Sequence, residues 1–380
     1  MTETSLPTSA TADYSKHRYL LLDGMRGLAA LGVLSFHVVV DSYYEQLDSL
    51  YLLVDFFFVL SGFVLFPSMP STTKRMGKSV GVFVLKRVFR FWPLVIAALL
   101  VSLAIIEIEV AYLRRNGGFD VPYGSFLGKG SNAYWEATIA AFLLLQIVVS
   151  AAISINAPLW SLSAEWFANV IAAPLTAIKW GLGIIAVIVV GYVMLAYGLS
   201  TDQKWIKDVG PIRGWEALGR AMLGFGLGLL LRKYLPQLSR WRTWWMLLIS
   251  IAGLVVLYYL PQNIGYAACY VAAPIFALFI LQLTKYRVSA TSILGRFLAF
   301  LGAYSFGIYV FHFPLTQLYT TLFGGCEGRC GSIRAAAVEH FLTEAVVVSF
   351  FAILLTFVAH WVLEKPLQKL GSRLVARASR

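Results

Sequence analysis

Ionisable side chains stranded inside long apolar runs are the residues of this sequence with the means to do chemistry. Arg26 and His37 share one such run, eleven residues apart. On a helix that is about three turns and ~16 Å of rise, which returns both side chains to nearly the same face. Asp23 lies one turn before Arg26, close enough to pair with it. A later run reads Ser305-Phe-Gly-Ile-Tyr309-Val-Phe-His312, with its polar groups at i, i+4 and i+7, again one helical face. Two imidazoles at one depth of a helical bundle suit a proton relay, a catalytic pair or, least well without surrounding carboxylates, a metal pair. No metal is expected.

Two further groups belong to the same inventory. Arg87 and Arg90 are spaced i, i+3 in a basic stretch that ends at Pro93. Such a pair of guanidiniums can cradle a phosphorylated ligand, or simply mark a cytoplasmic turn and touch anionic lipid. Glu165 closes the polar, Pro-broken segment Asn156-Ala-Pro-Leu-Trp160-Ser161-Leu-Ser-Ala-Glu165. It could orient His37 or His312 through a carboxylate–imidazole bond, or close an irregular turn; both readings stay open. His340 and His360 fall towards the ends of the last apolar run and His17 before the first, so none of them joins the candidate site.

The elements that must position these groups follow from composition. Of the 380 residues 59% are hydrophobic and 13% charged, and mean hydropathy is +0.74. A soluble domain carries roughly 25% charged residues, so a water-facing, disordered or disulfide-rich secreted chain is excluded. Apolar segments lie near 20–40, 50–66, 92–112, 133–152, 157–178, 181–199, 214–231, 244–260, 264–283, 297–323 and 338–363. The expectation is an all-α polytopic membrane protein forming one domain over 19–364. It would be flanked by a cytoplasmic N-terminal tail, 1–18, and a basic cytoplasmic tail, 365–380. The polar start lacks the apolar core and cleavage site of a signal peptide.

The net charge of +12 suits a nucleic-acid binder less well than basic cytoplasmic loops. Basic stretches at 67–91, 232–243, 285–296 and the C-terminus put both termini inside, whereas 41–49 is acidic. Lys204, Lys207 and Arg213 sit awkwardly on the outer side in this arrangement. Two inside termini require an even number of crossings. The eleven apolar segments therefore predict about ten transmembrane helices plus one re-entrant or broken element around Glu165, since irregular backbone at membrane depth must be satisfied by protein or a wet cavity. Cys326 and Cys330 share a short loop; a disulfide suits them if that loop faces an oxidising compartment.

Together these segments resemble the membrane-bound acyltransferase-3 family. Arg26 and His37 match its Arg-x10-His element, and VDFFFVLSGF (54–63) its Phe-Phe-x-x-Ser-Gly-Phe element. Arg87-Val-Phe-Arg90-Phe-Trp-Pro93, Trp160-Ser-Leu-Ser-Ala-Glu165 and YSFGIYVFHFP (304–314) match three more, in order. The resemblance implies a stand-alone O-acyltransferase of the cell inner membrane. Such an enzyme moves an acyl group, most commonly acetyl, from cytoplasmic acyl-CoA to a hydroxyl of an extracytoplasmic glycan or related acceptor. The depth and charge of the residues fit this reading, with His37 as general base, Arg26, Glu165 and His312 beside it, and Arg87, Arg90 and Arg26 as donor-binding residues. Ser305, Tyr309, Trp160 and Ser161 would position substrate. A proton-coupled transporter is the competing reading, because intramembrane Arg, Glu and His also serve transport.

Overall fold

The computed structural model describes residues 19–39, 45–70, 76–115, 131–149, 155–178, 180–199, 212–241, 243–259, 265–323 and 337–379. His17, Lys204, Lys207 and the Cys326–Cys330 loop lie outside the described residues. Every regular element described is helical: α1 (Leu20–Val39), α2 (Leu53–Leu65), α3 (Met76–Arg115), α4 (Ser131–Phe142), α5 (Leu159–Ile178) and α6 (Trp180–Leu199) come first. They are followed by α7 (Gly214–Lys233), α8 (Trp244–Tyr258), α9 (Gly265–Leu283), α10 (Ile293–Phe323), α11 (Ala337–Ala359) and α12 (Lys365–Ser379). A 3-10 stretch, Glu45–Leu52, leads into α2, and a π-helical turn, His360–Glu364, joins α11 to α12.

Five helical segments among the described residues are long and apolar enough to cross a membrane, and three shorter apolar helices accompany them. The outer faces of α6, α8 and α11 expose Val189, Val193, Leu248, Ile249, Val346, Phe350 and Phe357. Only hydrocarbon covers apolar surface of that extent without penalty. At α8 the aromatic pairs Trp244–Trp245 and Tyr258–Tyr259 mark the two ends, as interfacial residues do. The chain is an all-α integral membrane protein.

Two departures from the sequence reading concern the site. The basic stretch before Pro93 is not a turn: Arg87 and Arg90 lie inside α3, a forty-residue helix that continues through Pro93. At ~60 Å it is about twice the hydrocarbon thickness, so its basic first third extends the helix beyond the apolar core instead of ending it. The broken element also lies earlier than expected. α4 stops at Phe142, the chain turns at 143–149 with Leu144 at φ 55°, and Glu165 sits in the second turn of the continuous helix α5. Three of the carbonyls at this break are taken up by protein. Trp92 Nε1 donates to Phe142 at 3.0 Å, Ser163 Oγ to Leu144 at 2.6 Å, and the Gly214 amide to Ile147 at 2.9 Å.

Close approach of backbones sets the two crossings on which the site rests. α1 and α10 run parallel: Gly24 faces Leu298, Gly27 faces the Leu301 backbone, and Gly302 faces Asp23, each leaving no room for a Cβ. At the α2–α7 crossing, a Cβ on Gly62 would strike the Phe225 carbonyl and one on Gly228 the Val59 carbonyl. Small residues are the means by which membrane helices gain such contact.

The same α2–α7 crossing holds an ion pair that the sequence reading did not single out. Arg220 donates to both carboxylate oxygens of Asp55, at 2.9 and 2.6 Å, with the two side chains 1% and 0% exposed. Its guanidinium also lies over Tyr51 and Trp160, 5.6 and 5.4 Å from the ring centres. Breaking one side of a buried pair leaves an uncompensated charge and costs about 3–5 kcal/mol, whereas apolar replacement of both partners is often neutral. Asp55→Asn or Arg220→Met alone is therefore expected to lower the unfolding midpoint in micelles far more than the Asp55→Leu/Arg220→Met double variant. Equal losses in all three would remove the pairing as the reason for these charges.

Candidate active site

A cavity of about 380 Å³ opens between α1, α2, α3, α5 and α10, within the usual range for small-molecule sites. Its walls are mainly apolar, with Phe57, Leu60, Val64, Phe91, Leu162 and Phe306 among them. Onto this apolar frame converge Arg26, Ser61, Arg87, Arg90, Ser161, Glu165, Ser305 and Tyr309. Helix geometry explains the convergence. Arg87, Arg90 and Phe91 share one face of α3; Ser161, Leu162 and Glu165 share one face of α5; Ser305, Phe306 and Tyr309 share one face of α10.

Each guanidinium is held in place. Arg26 Nε donates to Ser305 Oγ at 2.9 Å and its Nη2 to the Gly302 carbonyl at 2.7 Å, with Asp23 3.5 Å away. Arg87 Nη2 donates to Glu165 Oε1 at 2.9 Å, and the same oxygen accepts from Ser61 Oγ at 2.5 Å. The Arg87 guanidinium lies 4.2 Å from the centre of the Phe91 ring, and its Nε is buried with no hydrogen-bond partner. Arg90 Nη1 donates to Glu364 Oε1 at 2.8 Å while its side chain stays 45% exposed. Glu165 thus spends its hydrogen bonds on Arg87 and Ser61, and neither imidazole is its partner. Of the two readings the sequence leaves open for Glu165, the carboxylate–imidazole bond is not made: α5 faces α3 at this level, whereas the histidines sit on α1 and α10.

His37 and His312 meet. His312 Nε2 lies 3.2 Å from His37 Nδ1, with ring centres 5.0 Å apart. The carbonyl acceptors around them fix the tautomers. His37 Nδ1 is 2.9 Å from the Val33 carbonyl and His312 Nδ1 is 3.1 Å from the Ile308 carbonyl. Each Nδ1 must carry its proton, because a carbonyl can only accept. His312 Nε2 is then a lone pair that receives a share of the His37 Nδ1 proton. His37 Nε2 is left as a bare lone pair, with no hydrogen bond to any described residue.

The histidines are not in the cavity wall but adjoin it through Tyr309. The Tyr309 ring lies 5.9 Å from that of His312, and its hydroxyl lies 2.6 Å from Ser161 Oγ and donates to the Pro158 carbonyl at 3.1 Å. Along α10, Ser305 and His312 are seven residues apart, ~10 Å of rise, which separates the Arg26 level from the imidazole level. Pro314 supports this stretch at a cost: lacking an N–H, it frees the Val310 carbonyl. Asn156 Nδ2 takes that carbonyl at 3.0 Å, which ties α10 to the start of α5.

Of the residues expected from sequence, His37 and His312 adjoin the cavity without lining it, and Trp160 falls elsewhere. It packs edge-on to Phe58 and under Arg220, behind the cavity. Sequence reasoning missed Ser61 as a Glu165 ligand, Glu364 as the Arg90 partner, and the Asp55–Arg220 pair. Arg220 could have been found by the rule that selected Arg26, since it too interrupts an apolar run. Among the described residues no three His, Cys, Asp or Glu side chains converge as a metal site would require.

Comparison with known proteins places nearly the whole chain in one family. Residues 19–363 match the Acyl_transf_3 family, described as an acyltransferase domain. The acyltransferase MdmB of Streptomyces mycarofaciens is 25% identical over 388 aligned residues, covering 93% of this chain and 92% of that protein. Protein 2 in the picA locus of Rhizobium radiobacter is 31% identical over 169 residues, covering 43% of this chain and 83% of its own length. No solved structure matches. With the family match spanning every helix that lines the cavity, the chain belongs to the acyltransferase-3 family and is a membrane enzyme that transfers acyl groups other than amino-acyl groups.

Proposed function

We propose that this enzyme takes an acyl group, acetyl in the first instance, from acyl-CoA on the cytoplasmic side. It passes that group to a hydroxyl of a carbohydrate or related acceptor on the other side of the cell inner membrane. The observation that carries the reading is the contact of His37 Nδ1 with the Val33 carbonyl and His312 Nε2, which leaves Nε2 of a neutral His37 as the free lone pair. As general base, His37 Nε2 takes the acceptor hydroxyl's proton while the oxygen attacks the thioester carbonyl. The C–S bond breaks and the proton passes to the departing thiolate. During the step the imidazolium keeps its Nδ1 proton against the Val33 carbonyl and the His312 lone pair, so both partners stabilise the cation that forms, as the oriented third group does in a hydrolase triad.

The donor side is argued from charge and shape. Three guanidiniums, Arg26, Arg87 and Arg90, border a cavity whose walls are mainly apolar and whose lining carboxylate, Glu165, is paired with Arg87. That combination suits a phosphorylated carrier with an apolar arm, and the buried, unpartnered Arg87 Nε is a donor in want of an acceptor. Arg26, with two hydrogen bonds fixing it to α10, is placed to hold the donor or to meet developing oxyanion charge. Ser161, Ser305 and Tyr309 position the substrate from the wall. The same reading keeps about ten crossings plus the broken element before α5, with both termini in the cytoplasm.

Three outcomes test it. His37→Ala is expected to lower transfer from labelled acetyl-CoA to envelope glycan by on the order of 10²–10⁴-fold with donor affinity unchanged; parallel loss of both would remove His37 as the base. Because Arg87→Ala alone orphans Glu165, the informative variant is Arg87→Ala/Glu165→Ala. It should weaken acyl-CoA binding by about 1.5–3 kcal/mol, and unchanged affinity would discard Arg87 as a donor ligand. For topology, cysteines placed singly at Ser68 and Tyr259, in a chain with Cys269, Cys326 and Cys330 replaced, are titrated with a membrane-impermeant thiol reagent. Labelling from outside at 259 and not at 68 is expected, and the reverse pattern would invert the enzyme.

A further inference from the structure

Helix α12 has a composition that neither packing nor catalysis explains. It runs Lys365–Ser379 and carries Lys365, Lys369, Arg373 and Arg377 with no acidic residue. One face is used: Gly371 abuts the Phe89 ring on α3 so closely that a Cβ would collide with it, and Leu367, Leu374 and Val375 are partly buried beside it. On the open side Lys369, Arg373 and Arg377 stand exposed at i, i+4 and i+8, one line along the helix, and form no ion pair with a described residue. Like charges one turn apart repel. The helix dipole offsets this only in the last turn, which accounts for Arg377 and not for Lys369 or Arg373.

Two further observations fix the depth and attitude of this stripe. Trp361 in the π turn is 53% exposed, and Lys365 Nζ lies 3.7 Å from the centre of its ring. A tryptophan capped by a lysine is an interfacial anchor. The turn itself is locked, since Glu364 receives Arg90 and Gln368 on one oxygen at 2.8 and 2.9 Å and His360 on the other at 2.9 Å. α12 is thus a short basic amphipathic helix, rigidly held at the rim of the apolar core, with its charged line turned away from the protein.

We propose that the exposed face of α12 is a binding surface for anionic phospholipid headgroups of the leaflet it adjoins. Lipid phosphates would supply the counter-charge that the chain withholds. Phosphate groups against Lys369, Arg373 and Arg377 would also hold α12 on α3, next to the Arg90–Glu364 contact at the cavity rim.

The test uses the full chain in a neutral detergent, titrated with fluorescent phosphatidylglycerol and, separately, phosphatidylcholine. Phosphatidylglycerol should bind more tightly, and Lys369→Gln/Arg373→Gln/Arg377→Gln should weaken it by about tenfold or more. The charge-retaining variant Lys369→Arg/Arg373→Lys/Arg377→Lys should keep the native affinity. Unchanged affinity in the neutral variant, or loss in the charge-retaining one, would overturn the proposal. So would displacement of the lipid by inorganic phosphate at equal concentration, which would assign the stripe to a free anion. None of these readouts depends on acyl transfer.

Discussion

A charge or a freed backbone carbonyl inside hydrocarbon has no water to turn to, so its partner must come from the protein. The arrangement of this chain follows from where those partners stand. Arg220 finds Asp55 across the α2–α7 crossing, Arg87 finds Glu165 across α3–α5, and the Val310 carbonyl released by Pro314 finds Asn156. Each contact joins segments far apart in sequence, and the last two tie walls of the cavity to one another. Hydrophobic burial supplies little specificity here, because lipid tails are as apolar as leucine.

Within that frame the parallel packing of α1 on α10 fixes the proposed reaction centre. Glycines at 24, 27 and 302 let the two backbones approach, and the shared axis then matches one helix's polar residues to the other's. Arg26 meets Ser305 and His37 meets His312. An error of one turn in this register would leave an imidazole against an alkyl chain. The close pairing is what brings His312 Nε2 within hydrogen-bond distance of His37 Nδ1.

The sequence made the candidate site residues legible and left their partners hidden, for a physical reason. Arg26, His37, Glu165 and His312 stand out because each interrupts an apolar run, and helical spacing puts several on common faces. Nothing local says that Glu165 meets Arg87 and not an imidazole, since that depends on which helix packs beside α5. Helix positions were readable from hydropathy, yet a run of basic residues before Pro93 resembled a turn although α3 continues through it. Charge density signals where a chain leaves hydrocarbon, not where its helix ends. The break before α5 was misplaced towards Glu165 because Pro158 marks the start of that helix as readily as an interruption within it.

Pairing also bears on how a donor could be held. The formal charges around the cavity nearly cancel, with Arg26 near Asp23, Arg87 on Glu165 and Arg90 on Glu364. A phosphate arriving at Arg87 therefore competes with a carboxylate already 2.9 Å away. Either both anions share the guanidinium, using the Nε that has no partner, or Glu165 gives way and keeps only Ser61. In both cases the resting pair spares the enzyme an uncompensated buried guanidinium while no donor is bound. The affinity a phosphate can gain at Arg87 is then the difference between two charge-assisted contacts, smaller than the strength of either. Arg90, half-exposed at the rim, keeps more of its interaction free for an incoming anion than the buried Arg87 does.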